Sequence, residues 1–146
     1  MKIPEPDFTF DCITEITPAW LKLNGFVTVL MDLDGTLLPK KADRISEKVV
    51  KWLHEMEKNR IFLGVISNSK KERIKSAVDV MEQYIIPFVA KAHKPSGLGI
   101  KYMMEEFGLN PESTIYVGDK KKDIIAAHCA GIKSVKVKTM KKGETT

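Results

Sequence analysis

The residues Asp32-Leu33-Asp34-Gly35-Thr36 stand directly after the apolar run Phe26-Val27-Thr28-Val29-Leu30-Met31. A run rich in β-branched residues reads as a strand buried on both faces. Carboxylates buried at its end cost several kcal/mol each unless a cation compensates them. Alternation along an extended chain puts Asp32 and Asp34 on one side and Leu33 on the other. Gly35 and Thr36 then break the strand and let the backbone approach a ligand. Two like charges about 6–7 Å apart at a strand's carboxyl end suit a metal ion beside a reacting group. The plainer alternative is an acidic strand-to-turn junction in which Asp34-Gly35 only makes the turn.

Further chemistry-bearing residues recur at the ends of apolar segments. Ile61–Ile66 ends in Ser67-Asn68-Ser69, and the extended segment Pro87–Ala90 precedes Lys94-Pro95. Thr114-Ile115-Tyr116-Val117 runs into Gly118-Asp119, with Asp123 one helical turn further on. A hydroxyl and the first N–H groups of a helix, as at Ser67 and Asn68, form a natural anion site. Each residue also has an ordinary reading: Ser67 as a helix cap, Lys94 as a surface lysine, Asp123 as a first-turn aspartate. His54, His93 and His128 read as solvated or core-edge residues, with His93 a candidate for substrate contact through its neighbour Lys94.

These residues must be positioned by alternating elements. Thr17-Pro18 opens a short helix that reaches Leu23 and stops at Gly25. Strands follow at Phe26–Asp32, Ile61–Ser67, near Phe88, at Thr114–Val117 and at Ser134–Lys138. Between them lie helices from about Ser46 to Lys58, from the capping box Ser69-Lys70-Lys71-Glu72 with Ile74, Ala77, Val78 and Met81 inward, from Ser96 to Phe107, and from Lys121 to Ala130. Strand–helix alternation with short loops predicts an α/β fold with a parallel central sheet and helices on both faces. The 146 residues form one domain, 1–146, with an N-terminal extension over 1–25 and a flexible tail over 139–146.

Composition narrows the class. An apolar fraction of 43% and a charged fraction of 29% are those of an ordinary globular protein. No apolar run approaches the ~20 residues that span a bilayer. The acidic, proline-containing start does not resemble a secretory signal. Cys12 and Cys129 are far apart and read as reduced thiols, so the expected location is cytoplasmic. The net charge of +5 is uneven: residues 1–25 carry Glu5, Asp7, Asp11 and Glu15 against Lys2 and Lys22, while residues 133–146 carry five lysines against Glu144. Lys120-Lys121-Lys122 adjoins Asp119, which suits an anionic substrate or an anionic membrane surface as well as plain solvation. Nucleic acid is a poor expectation, since no aromatic platform accompanies the lysines.

In chain order, Asp-x-Asp, Ser, Lys-Pro and Gly-Asp-x-x-x-Asp resemble the four motifs of the haloacid dehalogenase-like (HAD) phosphatase superfamily, over roughly Phe26 to Val137. The segment Ile13–Leu21, Ser67–Arg73 and Ala90–Pro95 further resemble its subfamily IIIA, the YqeG-type branch that includes phosphatidylglycerophosphate phosphatases. The resemblance implies a three-layer Rossmann-like fold. Only about 24 residues separate Thr36 from Ile61 and about 25 separate Asn68 from Lys94, which leaves no room for the cap domain many members insert.

The resemblance further implies a Mg²⁺-dependent phosphomonoester hydrolase. Asp32 would be the nucleophile that forms an aspartyl-phosphate, and Asp34 the general acid and base. Ser67, Asn68 and Lys94 would hold the phosphoryl group. Asp32, Asp34 (through its carbonyl), Asp119 and Asp123 would hold Mg²⁺, with Asp123 either a ligand or an orienter of ligands. Phosphatidylglycerophosphate is one substrate this implies, a soluble sugar phosphate another. An open site also suits closure by a second copy in a homo-oligomer. A regulatory or ribosome-associated module that kept the fold and lost the chemistry is the alternative from a different class.

Overall fold

The computed structural model describes residues 3–70 and 75–141. Six strands form one sheet: β1 (Phe8–Phe10), β2 (Thr28–Met31), β3 (Phe62–Ile66), β4 (Phe88–Val89), β5 (Thr114–Gly118) and β6 (Lys133–Val137). Their order is β1-β6-β5-β2-β3-β4 and every pair is parallel. The chain winds outward from β2 through β3 to β4, then returns to lay β5 and β6 on the other side of β2. The strand order therefore reverses at β2, and the crevice beyond the carboxyl ends of β2 and β5 is where such sheets bind ligands.

Alternation along β2 divides the core. Val29 and Met31 face one layer with Val65, Ile115 and Val117, covered by α1 (Pro18–Leu23), α2 (Glu47–Lys58) and α3 (described from Lys75 to Gln83). Leu30 faces the other with Ile66 and Tyr116, covered by α4 (Leu98–Phe107) and α5 (Lys121–Ala130). Helix ends follow local chemistry. The Thr17 hydroxyl accepts from the Trp20 amide at 3.0 Å and the Ser46 hydroxyl from the Val49 amide at 3.3 Å. Gly108 and Gly131 end α4 and α5 in the left-handed conformation. The sheet, the two helical layers and the single-helix interval between β2 and β3 agree with the expected capless three-layer fold.

Two details differ from the sequence reading. The N-terminal extension supplies β1, which pairs with β6 in the register Phe8↔Val135 and Phe10↔Val137. Phe8 and Phe10 each set their rings edge-on to Trp20 with centroids 5.0 Å apart, so a three-residue strand is held by aromatic packing. Thr139 and Met140, expected in a flexible tail, are instead fixed: Met140 is buried and its amide donates to the Gly35 carbonyl at 2.7 Å. The expected capping box at Ser69–Glu72 and the inward Ile74 fall partly on residues 71–74, outside the described residues. Among the described residues no helix is long and apolar enough to cross a membrane.

Candidate active site

The site is built where β2, β3 and β5 end. β2 delivers Asp32, whose amide donates to the Val117 carbonyl at 2.9 Å and so keeps the pairing with β5 one residue past the strand. The chain then turns through Gly35, at φ +82°, and the Gly35 amide closes the turn on the Leu38 carbonyl at 2.7 Å. A side chain at Gly35 would collide with the Asp119 carboxylate, so the missing Cβ lets the turn lie against the end of β5. Gly118 is bare for a similar reason: a Cβ there would meet Asp123.

Lys94 is the hub. Its ammonium is 2.8 Å from Asp32 Oδ1, 2.8 Å from Asp123 Oδ1, 2.7 Å from the Tyr116 hydroxyl and 3.0 Å from the Ile66 carbonyl. The Lys94 side chain is 1% exposed, against 8% for Asp32 and 0% for Asp123. The Tyr116 hydroxyl donates onward to the Ile66 carbonyl at 2.9 Å. Asn68 clamps the Lys94 backbone from both sides, accepting from its amide at 2.8 Å and donating to its carbonyl at 3.3 Å. The Lys94–Pro95 peptide is cis, and Lys91 and His93 both sit at positive φ and are exposed. Of the two lysines in that loop, Lys94 is the one that reaches Asp32.

Asp32, Asp119 and Asp123 are buried, and one carboxylate oxygen of each lies within 4.8 Å of the others. Three carboxylates against the single ammonium of Lys94 leave an excess of negative charge. Burial, offset in part by Lys94 and reinforced by Asp123, accordingly pushes the Asp32 carboxyl from its ordinary value of 3.8 up to about 7. Burial and the surrounding carboxylates likewise push the Tyr116 phenol well above its usual range, so it stays a hydrogen-bond donor. The trio fits a hard divalent cation. Among the described residues nothing donates to the buried Asp119 Oδ1, while Oδ2 is held by the Thr139 hydroxyl at 2.8 Å. Both Asp123 oxygens are engaged, one by Lys94 and the other by the Lys120 amide at 3.1 Å, which suits it to orienting the group. The Asp34 carboxylate lies outside this trio and accepts from the Ser69 hydroxyl.

A cleft of about 610 Å³ opens over the site, lined by Asp32, Asp34, Ser67, Asn68, Ser69 and Asp119 together with a group of lysines. Ser67 is buried on the β3 side, where its hydroxyl accepts from the Ser69 amide at 3.1 Å. His54, His93 and His128 are exposed and none lines this cleft.

The model of the haloacid dehalogenase-like hydrolases matches residues 39–137, about two thirds of the chain. The chain belongs to this family. That match begins after Asp32 and Asp34, so these two aspartates rest on the motif and on the geometry above. "Probable phosphatase YqeG" of Bacillus subtilis is 30% identical over 79% of the chain and 65% of its own length. "Phosphoglycolate phosphatase 1" of Pseudomonas aeruginosa is 27% identical over 83% of the chain and 36% of its length. The chain thus spans between about a third and two thirds of these relatives. Among solved structures, the cobalt-bound deoxy-D-mannose-octulosonate 8-phosphate phosphatase YrbI of Haemophilus influenzae superposes with a TM-score of 0.66 at 17% identity, covering 84% of both chains. A HAD-superfamily hydrolase of Ehrlichia chaffeensis gives 0.67 at 14% identity, covering 77% of this chain and 88% of that one. At such identities the likeness is one of fold.

Within this HAD framework the structure adds residues that motif reading passes over. Tyr116 was legible only as a strand residue, although a tyrosine in a strand buried throughout needs a partner for its hydroxyl. Thr139 carried no signal, because its contact with Asp119 spans 20 positions and depends on where β6 ends. Ser69 sits two residues after Ser67 and reaches Asp34 across the cleft.

Proposed function

We propose that the chain is a cytoplasmic phosphomonoester hydrolase that works through an aspartyl-phosphate and requires Mg²⁺. The observation that carries this is Asp32: a buried carboxylate at the point where the strand order reverses, on the wall of an open cleft, with Lys94 on its Oδ1. In this reading a carboxylate oxygen of Asp32 attacks phosphorus as the ester P–O bond breaks, and Asp34 delivers the proton that the departing alkoxide takes up. Water then attacks the acyl phosphate, Asp34 accepts its proton, and phosphate and the free Asp32 carboxylate are regenerated. Ser67 and the Asn68 amide hold phosphoryl oxygens on the β3 side. Lys94, buried away from the cleft mouth, holds Asp32 and Asp123 in place and stabilises the Asp32 carboxylate that is re-formed as the acyl phosphate breaks. Asp32 and Asp119, with the Asp34 carbonyl, would hold Mg²⁺, and Asp123 would orient them; the ion would neutralise phosphoryl charge.

The test is hydrolysis of a generic aryl phosphate with and without Mg²⁺, comparing wild type with Asp32→Asn. Turnover that needs Mg²⁺ and disappears in the variant is expected, by a factor above about 10³. Equal residual rates in both proteins would refute the reading. Phosphoglycolate, a sugar phosphate and phosphatidylglycerophosphate then form the substrate panel. The open cleft also suits closure by a second copy or contact with an anionic membrane, which sedimentation velocity and vesicle co-flotation measure.

A further inference from the structure

The cleft over Asp32 is electrostatically lopsided. Beside Asp32, Asp34 and Asp119, it is lined by Ser67, Asn68 and Ser69 on the β3 side and by Lys40, Lys120, Lys121, Lys122 and Lys136 elsewhere. Those five lysines come from three separate places: the loop after β2, the start of α5, and β6. Among the described residues, Lys40, Lys121, Lys122 and Lys136 have no carboxylate within 4.0 Å, and Lys120 approaches Asp119 only at 4.0 Å. Three of them occupy the cap and first turn of α5, where the helix dipole already disfavours cations. The one carboxylate in that turn, Asp123, is turned inward onto Lys94. Unpaired like charges converging on one cleft repel each other, and an anion bound between them relieves that repulsion.

A single phosphoryl group does not account for all of this charge. With a phosphate dianion against Asp32 and Ser67 and a divalent ion beside Asp119, the four aspartates, Lys94, the ion and the phosphate leave about three negative charges, so the five lysines still exceed the site's need by about two positive charges. We infer that the cleft recognises a phosphomonoester whose leaving group carries a second anionic group, a phosphate or a carboxylate, seated among Lys40, Lys121, Lys122 and Lys136. The assignment rests on the phosphatase reading for the position of the reacting phosphate. The shared chemistry covers a soluble bis-anionic metabolite and a phosphorylated lipid head group alike.

Binding to the Mg²⁺-loaded Asp32→Asn protein tests this without turnover. Isothermal titration at fixed ionic strength compares propyl phosphate with the bisphosphates of 1,3-propanediol and 1,5-pentanediol. The inference expects at least one bisphosphate to bind about tenfold more tightly than the monophosphate. In a protein that also carries Lys40→Ala, Lys121→Ala and Lys136→Ala, that advantage should vanish, with an unchanged melting profile showing that the fold survives. Phosphatidylcholine vesicles bearing phosphatidylinositol 4-phosphate form the lipid arm. Salt-sensitive, lysine-dependent retention on these vesicles without a soluble preference would assign the second anion to a lipid. Equal affinities for mono- and bisphosphates together with no vesicle retention would overturn the inference. Aryl phosphate hydrolysis by wild type, scored separately, tells a failure of the phosphatase reading from a failure of this one.

Discussion

At the scale of single residues the site is governed by one ammonium among carboxylates. Removing Lys94 as Lys94→Met leaves Asp32 and Asp123 buried without their cation, which should cost about 3–5 kcal/mol in stability. Urea unfolding of the metal-free protein measures that loss directly, and a cost below about 1 kcal/mol would mean that the pair contributes little. Tyr116 acts more subtly, because its hydroxyl accepts from Lys94 and donates to the Ile66 carbonyl without lining the cleft. Tyr116→Phe keeps the ring and removes one buried hydrogen-bonding group, worth about 1 kcal/mol. As a positioning residue it should lower kcat about tenfold with KM almost unchanged, since only the aim of Lys94 is relaxed. A purely structural role would lower the melting temperature and leave kcat intact, and paired kinetics and melting curves separate the two.

Elements matter here through how closely two strand ends approach. The turn after β2 fits against Asp119 only because Gly35 has no side chain and adopts positive φ. Gly35→Ala strains that backbone and pushes the Asp119 carboxylate away from Asp32, so Mg²⁺ affinity should fall by more than about tenfold while the sheet stays folded. Calorimetric titration with Mg²⁺ alongside circular dichroism checks both halves of that statement. The same scale shows what the sequence could convey. β2, β5 and the helices that cover them were legible because apolar periodicity and caps are local, Asp32, Ser67 and Asp119 because each closes such an element, and Lys94, in the loop between β4 and α4, through its Lys-Pro motif. β1 was not legible, since three residues give no periodicity and Phe8–Phe10 is held by β6 and Trp20. Thr139 and Met140 escaped for a related reason. Their order comes from the Gly35 carbonyl and the Asp119 carboxylate, partners distant along the chain.

For the whole molecule, the excess of buried negative charge links stability, pH and metal. The folded state holds the Asp32 carboxyl at about 7 against an ordinary 3.8, so between those values it binds a proton that the unfolded chain has released. With more protons on the native side, stability falls as pH rises. The contribution of this group is complete below about 3.8 and is lost as pH climbs through about 7. A divalent cation replaces that proton, so its apparent affinity should rise with pH up to about 7 and level off above it. Mg²⁺ binding only the folded state stabilises it by about 2.7 kcal/mol at a hundredfold excess over Kd. Melting curves at pH 5 and pH 8, each with EDTA and with Mg²⁺, should therefore show a clearly larger gain from Mg²⁺ at pH 8. An equal gain at both values would mean that Asp32 is already ionised at pH 5, and that Lys94 alone balances the buried carboxylates.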